Sequence, residues 1–534
     1  MPQFNADNLR RSLLQLAGKV SGGNSSRAGR ETPLRSDLLS VEQLERHAAE
    51  LARRHRAEMR PGENLLLSRL MENEEVILKA FEVLNEVVAK QQEIVPAAEW
   101  LIDNFYLVQE EIRLARKHLP RSYSRQLPSL TRGPLSGFPR VYEIASELIA
   151  HSDGRVEARN LFAFVAAYQR EVKLTLGELW AIPIMLRLAL IENIRRIASR
   201  LLASRKERTE ATYWVNQMTA AVEKSPDNLI LVVADMARSN PPLTSSFVAE
   251  YARLLQGQSA AFVLALTWLE QRLAGEGSSI EQQVRLENQM QAADQVSISN
   301  SINSLRFLDG MDWHEFVEGT SVVEAVLRTD PADVYGRMDF ATRDSYRHVV
   351  EWLAKEASRL EEEVARTAVS LARLYREKNG ADGKQAHVGY YLLDKGLAEL
   401  ELSLGIPVSP GRRLKRWCQK QILLWYLTSI GLFTLGLLLI ILPSVSGVPG
   451  WLVVFTVAVL LVVCSQLAVA LVNWLATLLV KPRRLPRLDF SRQLPSDCKT
   501  LIAFPVMLTD PRTVDELLEN MEIQYLANRD EHIY

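Results

Sequence analysis

"QILLWYLTSIGLFTLGLLLIIL" (Gln421–Leu442) runs for about 22 residues without a charged side chain. At ~1.5 Å of rise per residue it makes roughly 33 Å of helix, enough for a hydrocarbon layer about 30 Å thick. "WLVVFTVAVLLVVCSQLAVALVNWLATLLV" (Trp451–Val480) follows after the short, uncharged, turn-forming "PSVSGVPG" (Pro443–Gly450). This second run is about 30 residues, long enough to tilt or to continue into the interface. Two spans joined by so short a loop must return antiparallel. Charge-free runs of this length are rare in soluble cores, so the reading is a transmembrane hairpin rather than a buried helix pair.

The flanks orient the hairpin. Arg412, Arg413, Lys415, Arg416 and Lys420 precede the first span, and Lys481, Arg483, Arg484 and Arg487 follow the second. The connecting loop has no positive charge, so both outer ends are expected in the cytosol. Trp417, Trp451 and Trp474 stand where aromatic anchors sit. The opening "MPQFNADNLRRSLLQLAGKV" lacks the apolar core of a secretory signal, so the residues before the hairpin are expected to stay cytosolic.

Averages over the 534 residues hide this asymmetry. Hydrophobic residues are 47% and charged residues 24%, ordinary for a folded chain. A net charge of −1 sets up no field for nucleic acid, and none is expected as a partner. Cys418, Cys464 and Cys498 have no paired spacing, against a disulfide framework or a cysteine zinc site.

Before the hairpin the periodicity is helical. Residues 1–38, with "SGGNSSRAGRETPLRS" (Ser21–Ser36), read as a flexible segment, and 39–410 as an α-helical region. Ile77, Phe81, Leu84 and Val88 fall on one helix face, and Trp100, Asn104, Leu107 and Ile112 continue the pattern less cleanly. "HSDGR" (His151–Arg155) is a turn, and Val156–Tyr168 a new helix. Asp330 before Pro331 reads as an N-cap and first-turn proline. "LTLGELWAIPIMLRLALIENIRRIA" (Leu174–Ala198) looks like a third span. Its Glu178, Arg187 and Glu192 would each cost a few kcal/mol at mid-membrane. It is therefore expected to be a buried helix of the cytosolic region, opened by a Thr175–Glu178 capping box and kinked or restarted near Pro183. The membrane segment covers 411–487, with spans at about 421–442 and 451–480, and 488–534 remains. There, Leu501–Leu508 reads as a buried strand, Asp510-Pro511 as a turn and roughly Thr513–Asn528 as an amphipathic helix. Something strand-like follows at His532-Ile533-Tyr534. This is the opening of a βαβ unit.

Three stretches invite a chemical reading. "HEFVE" (His314–Glu318) begins like H-E-x-x-H, but Glu318 replaces the second histidine, so the zinc pair is broken. Arg413-x-x-Arg416-Trp417 resembles the acceptor-binding R/Q-x-x-R-W of processive glycosyltransferases, yet before a span it reads as juxtamembrane charge with an aromatic anchor. "MDFATRDSYRHVVEWLA" (Met338–Ala354) gathers Asp339, Arg343, Asp344, Tyr346 and Arg347, which suits either a sugar or phosphate ligand or, the commoner case, a helix start with its charges paired. No residue is assigned as catalytic, cofactor-binding or metal-ligating.

Several stretches together resemble the N-terminal part of bacterial cyclic β-1,2-glucan synthases. They are Trp100–Ile112, Pro139–Arg155, Leu174–Glu192, Asp330–Ala354, His387–Glu401 and the closing "TVDELLENMEIQYLANRDEHIY" (Thr513–Tyr534). The resemblance implies a large inner-membrane protein with a helical cytosolic region, spans, a GT-A-type glucosyltransferase domain and a phosphorylase-like domain. Such synthases polymerise glucose from UDP-glucose on a protein-bound primer and close the chain into a ring. On this view the chain stops inside the transferase domain. UDP-glucose and its divalent metal, Mg or Mn, would bind beyond Tyr534, and the chain alone would be inactive. Asp510, Asp515, Glu516 and Glu519 would then face solvent or cap the last helix. The implied partners are the lipid bilayer, a downstream chain carrying the rest of the synthase, and glucan. The alternative is a non-catalytic inner-membrane scaffold or subunit for glucan synthesis or export; a third is an enzyme acting through the helical region.

Overall fold

Helices in this chain open where a hydroxyl precedes a helical run. Ser40, Thr175 and Ser279 each accept from the backbone N–H three residues on, while Gln43, Glu178 and Gln282 reach back to the cap N–H. Each start thereby satisfies two of its orphan donors. The structure is a computed structural model; it describes residues 34, 36–59, 65–119, 127–258, 260–380, 383–406, 417, 421–441, 443, 449–479, 485–491, 493–496, 498–503 and 511–534. Most of the N-terminal segment 1–38, the loop residues 444–448 and the basic flanks other than Arg487 lie outside these residues, as does the Arg413-x-x-Arg416 motif. The chain is mainly α-helical and forms two compact units, Met1–Ser321 and Val322–Tyr534, divided inside the 39–410 helical region.

The first unit contains α1 (Val41–Arg54), α2 (Leu65–Ala89), α3 (Pro96–Asp103), α4 (Phe105–His118), α5 (Arg140–His151), α6 (Ala158–Glu171), α7 (Leu176–Lys224), α8 (Leu229–Ser239), α9 (Ser245–Leu255), α10 (Val263–Gly275), α11 (Ile280–Gly310) and α12 (Trp313–Thr320). A two-stranded antiparallel ribbon pairs β1 (Ala57–Glu58) with β2 (Ser129–Leu130). At 49 residues, α7 is about 74 Å long. Its first half lies in one core, through Leu179, Ile182, Met185 and Ile194. Its second half enters another, where Val215 and Met218 join Phe247, Tyr251 and Leu269.

The charges that spoke against a third span are all paired inside protein. Glu178 is fully buried and accepts from Arg140 Nη2 at 2.7 Å. Arg187 Nε donates to Glu111 at 2.8 Å, and its Nη2 to Asp309. Burial, then the hydrogen bond with Asp309, pushes the Glu111 carboxyl up to about 7 against the pull of Arg187. Glu192 accepts from Arg69 Nη2 at 2.7 Å, Arg196 Nε at 2.7 Å and Arg195 Nη2 at 2.9 Å. Burial alone would raise its carboxyl, but the three guanidiniums, Arg69 foremost, hold it down at about 2. The helix continues through Pro183 without restarting.

Two expected patterns shift. The buried stripe of α2 is Leu70, Asn73, Ile77, Ala80, Leu84 and Val87. Val88 is 44% exposed, and Phe81 is half-buried with its ring stacked on Phe105, centroids 3.7 Å apart. The 3.6-residue period admits two adjacent faces here, and the one through the small Ala80 is the one covered. The run from Trp100 to Ile112 is two helices, because Asn104 leaves helical geometry and its Nδ2 donates to the Trp100 carbonyl at 3.0 Å.

The "HSDGR" turn is present, and the helix after it is α6, starting two residues later than expected. Gly154 has φ +77°, and a Cβ there would meet Ser301 Oγ at 2.5 Å. The turn approaches α11 this closely because α11 shows it serines: Ser304 Oγ donates to the Gly154 carbonyl at 2.7 Å and accepts from Val156 N–H at 2.8 Å. Beside them Asn193 of α7 donates to Ser297 and Ser301 and accepts from Leu34 N–H.

The second unit contains α13 (Val322–Leu327), α14 (Phe340–Ala357), α15 (Glu361–Asn379), α16 (Val388–Leu393), α17 (Leu397–Ser403), α18 (Ile422–Ile441), α19 (Gly450–Leu479) and α20 (Pro511–Ala527). The expected hairpin is α18 and α19, both long and apolar enough to cross a membrane. They pack antiparallel, since Tyr426 near the start of α18 donates to Asn473 near the end of α19 at 2.9 Å. Cys464, Ala468 and Val472 form the covered stripe of α19, while Trp451, Val454, Phe455 and Leu478 remain exposed. An apolar surface of this kind is stable against lipid rather than water.

Replacing Glu192 with alanine leaves three guanidiniums without their shared anion. The expected cost is about 3–5 kcal/mol. It is read as a lower urea midpoint of the detergent-purified chain; an unchanged midpoint would remove Glu192 from this role.

Candidate functional site

The Met338–Ala354 stretch opens α14. Asp339 is its N-cap, accepting from Thr342 N–H at 2.9 Å. Arg343 and Arg347 follow at positions four apart and so share a face. Arg347 is fully buried; it donates to Glu324 at 2.7 Å and to Asp344 at 3.2 Å, with its guanidinium carbon 4.9 Å from the Phe340 ring centre. Glu324, on α13, also accepts from Tyr335 Oη at 2.7 Å and Arg328 Nε at 2.9 Å. The cluster is therefore a helix start whose charges are paired inward. Sequence reasoning missed Glu324. Its only signal was a lone carboxylate among the apolar residues of "VVEAVL" (Val322–Leu327).

A second network adjoins it. Asp330 does not cap a helix; 331–333 form a turn instead, and its carboxylate turns back into the unit. It accepts from Val388 N–H at 2.9 Å and from the N–H groups of Val334 and Tyr335 at 3.3 Å, and His387 Nδ1 lies 2.7 Å away. Burial would raise this carboxyl, but the His387 contact and the backbone donors hold it below its ordinary value. His387 Nε2 faces Tyr346 Oη at 3.3 Å. Gly389 permits this approach, since a Cβ there would collide with both atoms. A cavity of about 630 Å³ opens over Asp330, lined also by Thr329, Pro331, Asp333, Arg373, Arg376 and Glu377.

The same helix start receives the chain leaving the hairpin. Met338 and Leu488 form an antiparallel bridge, Asp339 N–H donates to the Arg487 carbonyl at 3.0 Å, and Asp489 N–H to the Arg337 carbonyl at 2.8 Å. Arg487 N–H donates to Thr342 Oγ1 at 3.0 Å.

At the C-terminal end, Thr500 and Ile533 form a parallel bridge, with Tyr534 N–H donating to the Thr500 carbonyl and Ile502 N–H to the Tyr534 carbonyl, both at 2.9 Å. With α20 between them, this is the start of a strand–helix–strand crossover. The expected burial of the strand is not seen: Leu501 is 79% and Ile502 47% exposed, because a single bridge covers neither face. Residues 504–510, including Asp510, lie outside the described residues. Asp515, Glu516 and Glu519 are exposed on α20. At "HEFVE", His314 is exposed and Asp312 caps α12 by accepting from the N–H groups of His314 and Glu315. Among the described residues, the three side chains that converge as metal ligands do are His47, Glu147 and His151, in the first unit.

His348 gives the charge cluster a pH signature. The hydrogen bond that it donates to the Asp344 carboxylate, then that residue's carbonyl and charge, raises its imidazole to about 9 against the opposing pull of burial. A group whose pKa is raised on folding adds stability below its unfolded value, about 6.5, and loses it as pH rises through the folded one. The wild-type urea midpoint is thus expected to fall between about pH 6.5 and about pH 9 by more than that of His348→Gln. The difference is small, because the ring is half in solvent. Parallel profiles would show that the pair contributes nothing.

No protein-family model matches the chain. The cyclic beta-(1,2)-glucan synthase NdvB of Rhizobium meliloti (strain 1021) is 30% identical to it over 511 residues, which is 94% of this chain and 18% of that protein. The chain thus spans less than a fifth of the length of the relative it matches. Along nearly its whole length it is a relative of a cyclic β-(1,2)-glucan synthase, matched to a portion of that protein as an N-terminal portion would be.

Proposed function

We propose that this chain is the helical, membrane-anchoring N-terminal portion of a cyclic β-1,2-glucan synthase, set in a bacterial inner membrane with both outer ends of its hairpin in the cytosol. The observation that carries the reading is the match over 94% of the chain to such a synthase. The paired apolar helices α18 and α19 and the basic residues outside them support the placement. The parallel Thr500–Ile533 bridge with α20 between supports the opening of a nucleotide-sugar-binding α/β domain.

UDP-glucose and the divalent cation of such synthases, Mg or Mn, need carboxylates that converge on a diphosphate. The exposed carboxylates of α20 form no three-ligand cluster among the described residues, so they do not fit that cation. In this reading the chain's own contribution is mechanical. It holds the start of the α/β domain beside the membrane, through the 337–339 and 487–489 pairing at the foot of α14. The remaining synthase and the growing glucan are the partners.

Two experiments test this. The chain alone is expected to incorporate no label from UDP-[¹⁴C]glucose, whereas a chimaera in which it replaces the matched portion of the R. meliloti synthase is expected to make cyclic β-1,2-glucan. A chimaera that reaches the membrane and makes none would overturn the assignment. For topology, an alkaline phosphatase fusion at Gly447 is expected to be active and one at Lys481 inactive. The reverse pattern would invert the hairpin.

A further inference from the structure

Helices α1 and α5 run antiparallel and present imidazoles to carboxylates. His47 of α1 meets Glu147 and His151 of α5, while His55, just past the end of α1, lies 3.5 Å from Glu143. His47 Nε2 is 2.7 Å from Glu147 Oε2, and His151 Nε2 is 3.5 Å from the same oxygen. All three ligand atoms lie within 4.8 Å of one another. In a tetrahedral zinc site with bonds of ~2.0–2.1 Å, neighbouring ligand atoms stand about 3.3 Å apart.

The second ring nitrogen of His151 adds an independent constraint. Its Nδ1 is 2.8 Å from the Asp37 carbonyl oxygen. A carbonyl only accepts, so Nδ1 carries the hydrogen. A neutral His151 therefore points the lone pair of Nε2 at a carboxylate. At 3.5 Å the two acceptors repel each other unless a proton or a cation lies between them. A second proton would make His151 an imidazolium, with the His47 ring centre only 4.3 Å away. A divalent cation satisfies both rings in their neutral form and the carboxylate together. The Asp37 carbonyl is itself fixed, because Ser36 and Leu39 N–H groups donate to the Ala150 and His151 carbonyls. Orientation of a ligating imidazole by a backbone carbonyl is how protein zinc sites set the tautomer.

We propose that His47, Glu147 and His151 bind a zinc-class divalent cation. Two imidazoles and one carboxylate select zinc and its borderline neighbours over magnesium or calcium, which take oxygen. The cation takes the place of the proton that His47 shares with Glu147, and that proton leaves to solvent. The fourth position is filled by water, since the ligands are half-buried and reachable. Because His47 stands about one hundred residues before Glu147 and His151, the cation clips α1 and the segment before it onto α5.

The test uses the full chain in detergent, stripped with chelator and titrated with Co²⁺ as a coloured probe. Visible absorbance is expected to saturate at about one equivalent and to be bleached by Zn²⁺. Glu147→Gln and His151→Ala are each expected to weaken Co²⁺ binding at least ~10-fold. His314→Ala, on an exposed histidine of α12, is expected to leave it unchanged. X-ray absorption at the zinc edge of the wild-type chain reads the ligands without any substitution and is expected to show two imidazoles. No saturable absorbance, equal affinity in all four proteins, or a zinc shell without imidazole scattering would each overturn the proposal.

Discussion

Glu192 sits in the most apolar stretch of α7 and is held ionised by Arg69, Arg195 and Arg196. Much of the first unit follows from keeping that charge, and its counterparts Glu178 and Arg187, away from both water and hydrocarbon. The partners come from four other helices: Arg69 from α2, Arg140 from α5, Glu111 from α4 and Asp309 from α11. Hydrophobic contact is non-directional and tolerates sliding, whereas an ion pair closed to solvent tolerates almost none. The three pairs thus act as pins that set how each neighbour stands along α7.

The second unit repeats the scheme on a smaller scale. Glu324 gathers Arg347, Arg328 and Tyr335, and Asp330 gathers His387 and three backbone donors. The helices α18 and α19 differ in kind. They have no charge to pin, and their largest side chains point outward. Comparison of α7 with α19 shows what separates a protein-facing apolar helix from a lipid-facing one. Both are rich in leucine and valine or isoleucine, but only α7 carries ions that need protein partners.

Local signals were legible in the sequence. The Thr175–Glu178 box and the "HSDGR" turn depend on residues within a few positions of each other, and the two apolar runs are continuous in the chain; the box, the turn and two helices long and apolar enough to cross a membrane are present in the structure. Pairings across long separations were not legible. Arg347 gives no hint that its counterion is Glu324, nor His387 that it turns to Asp330, because that choice is made by packing. Val87 rather than Val88 is covered because two helix faces differ by one residue, and only the neighbouring helices decide between them. Asp330 looked like a cap because Asp-Pro is a common helix opening; backbone N–H groups of Val334, Tyr335 and Val388 claimed its carboxylate instead.

The pairing of 337–339 with 487–489 sets a leash. Arg487, whose backbone is bonded to Asp339 and Thr342, is only eight residues further along the chain than Leu479, the last of α19. Fully stretched, eight residues reach at most ~29 Å. With α19 in a bilayer, the foot of α14 can never stand further than that from the end of the span. Whatever is fixed to this foot would be confined to a thin layer over the lipid headgroups, and it would explore an area rather than a volume.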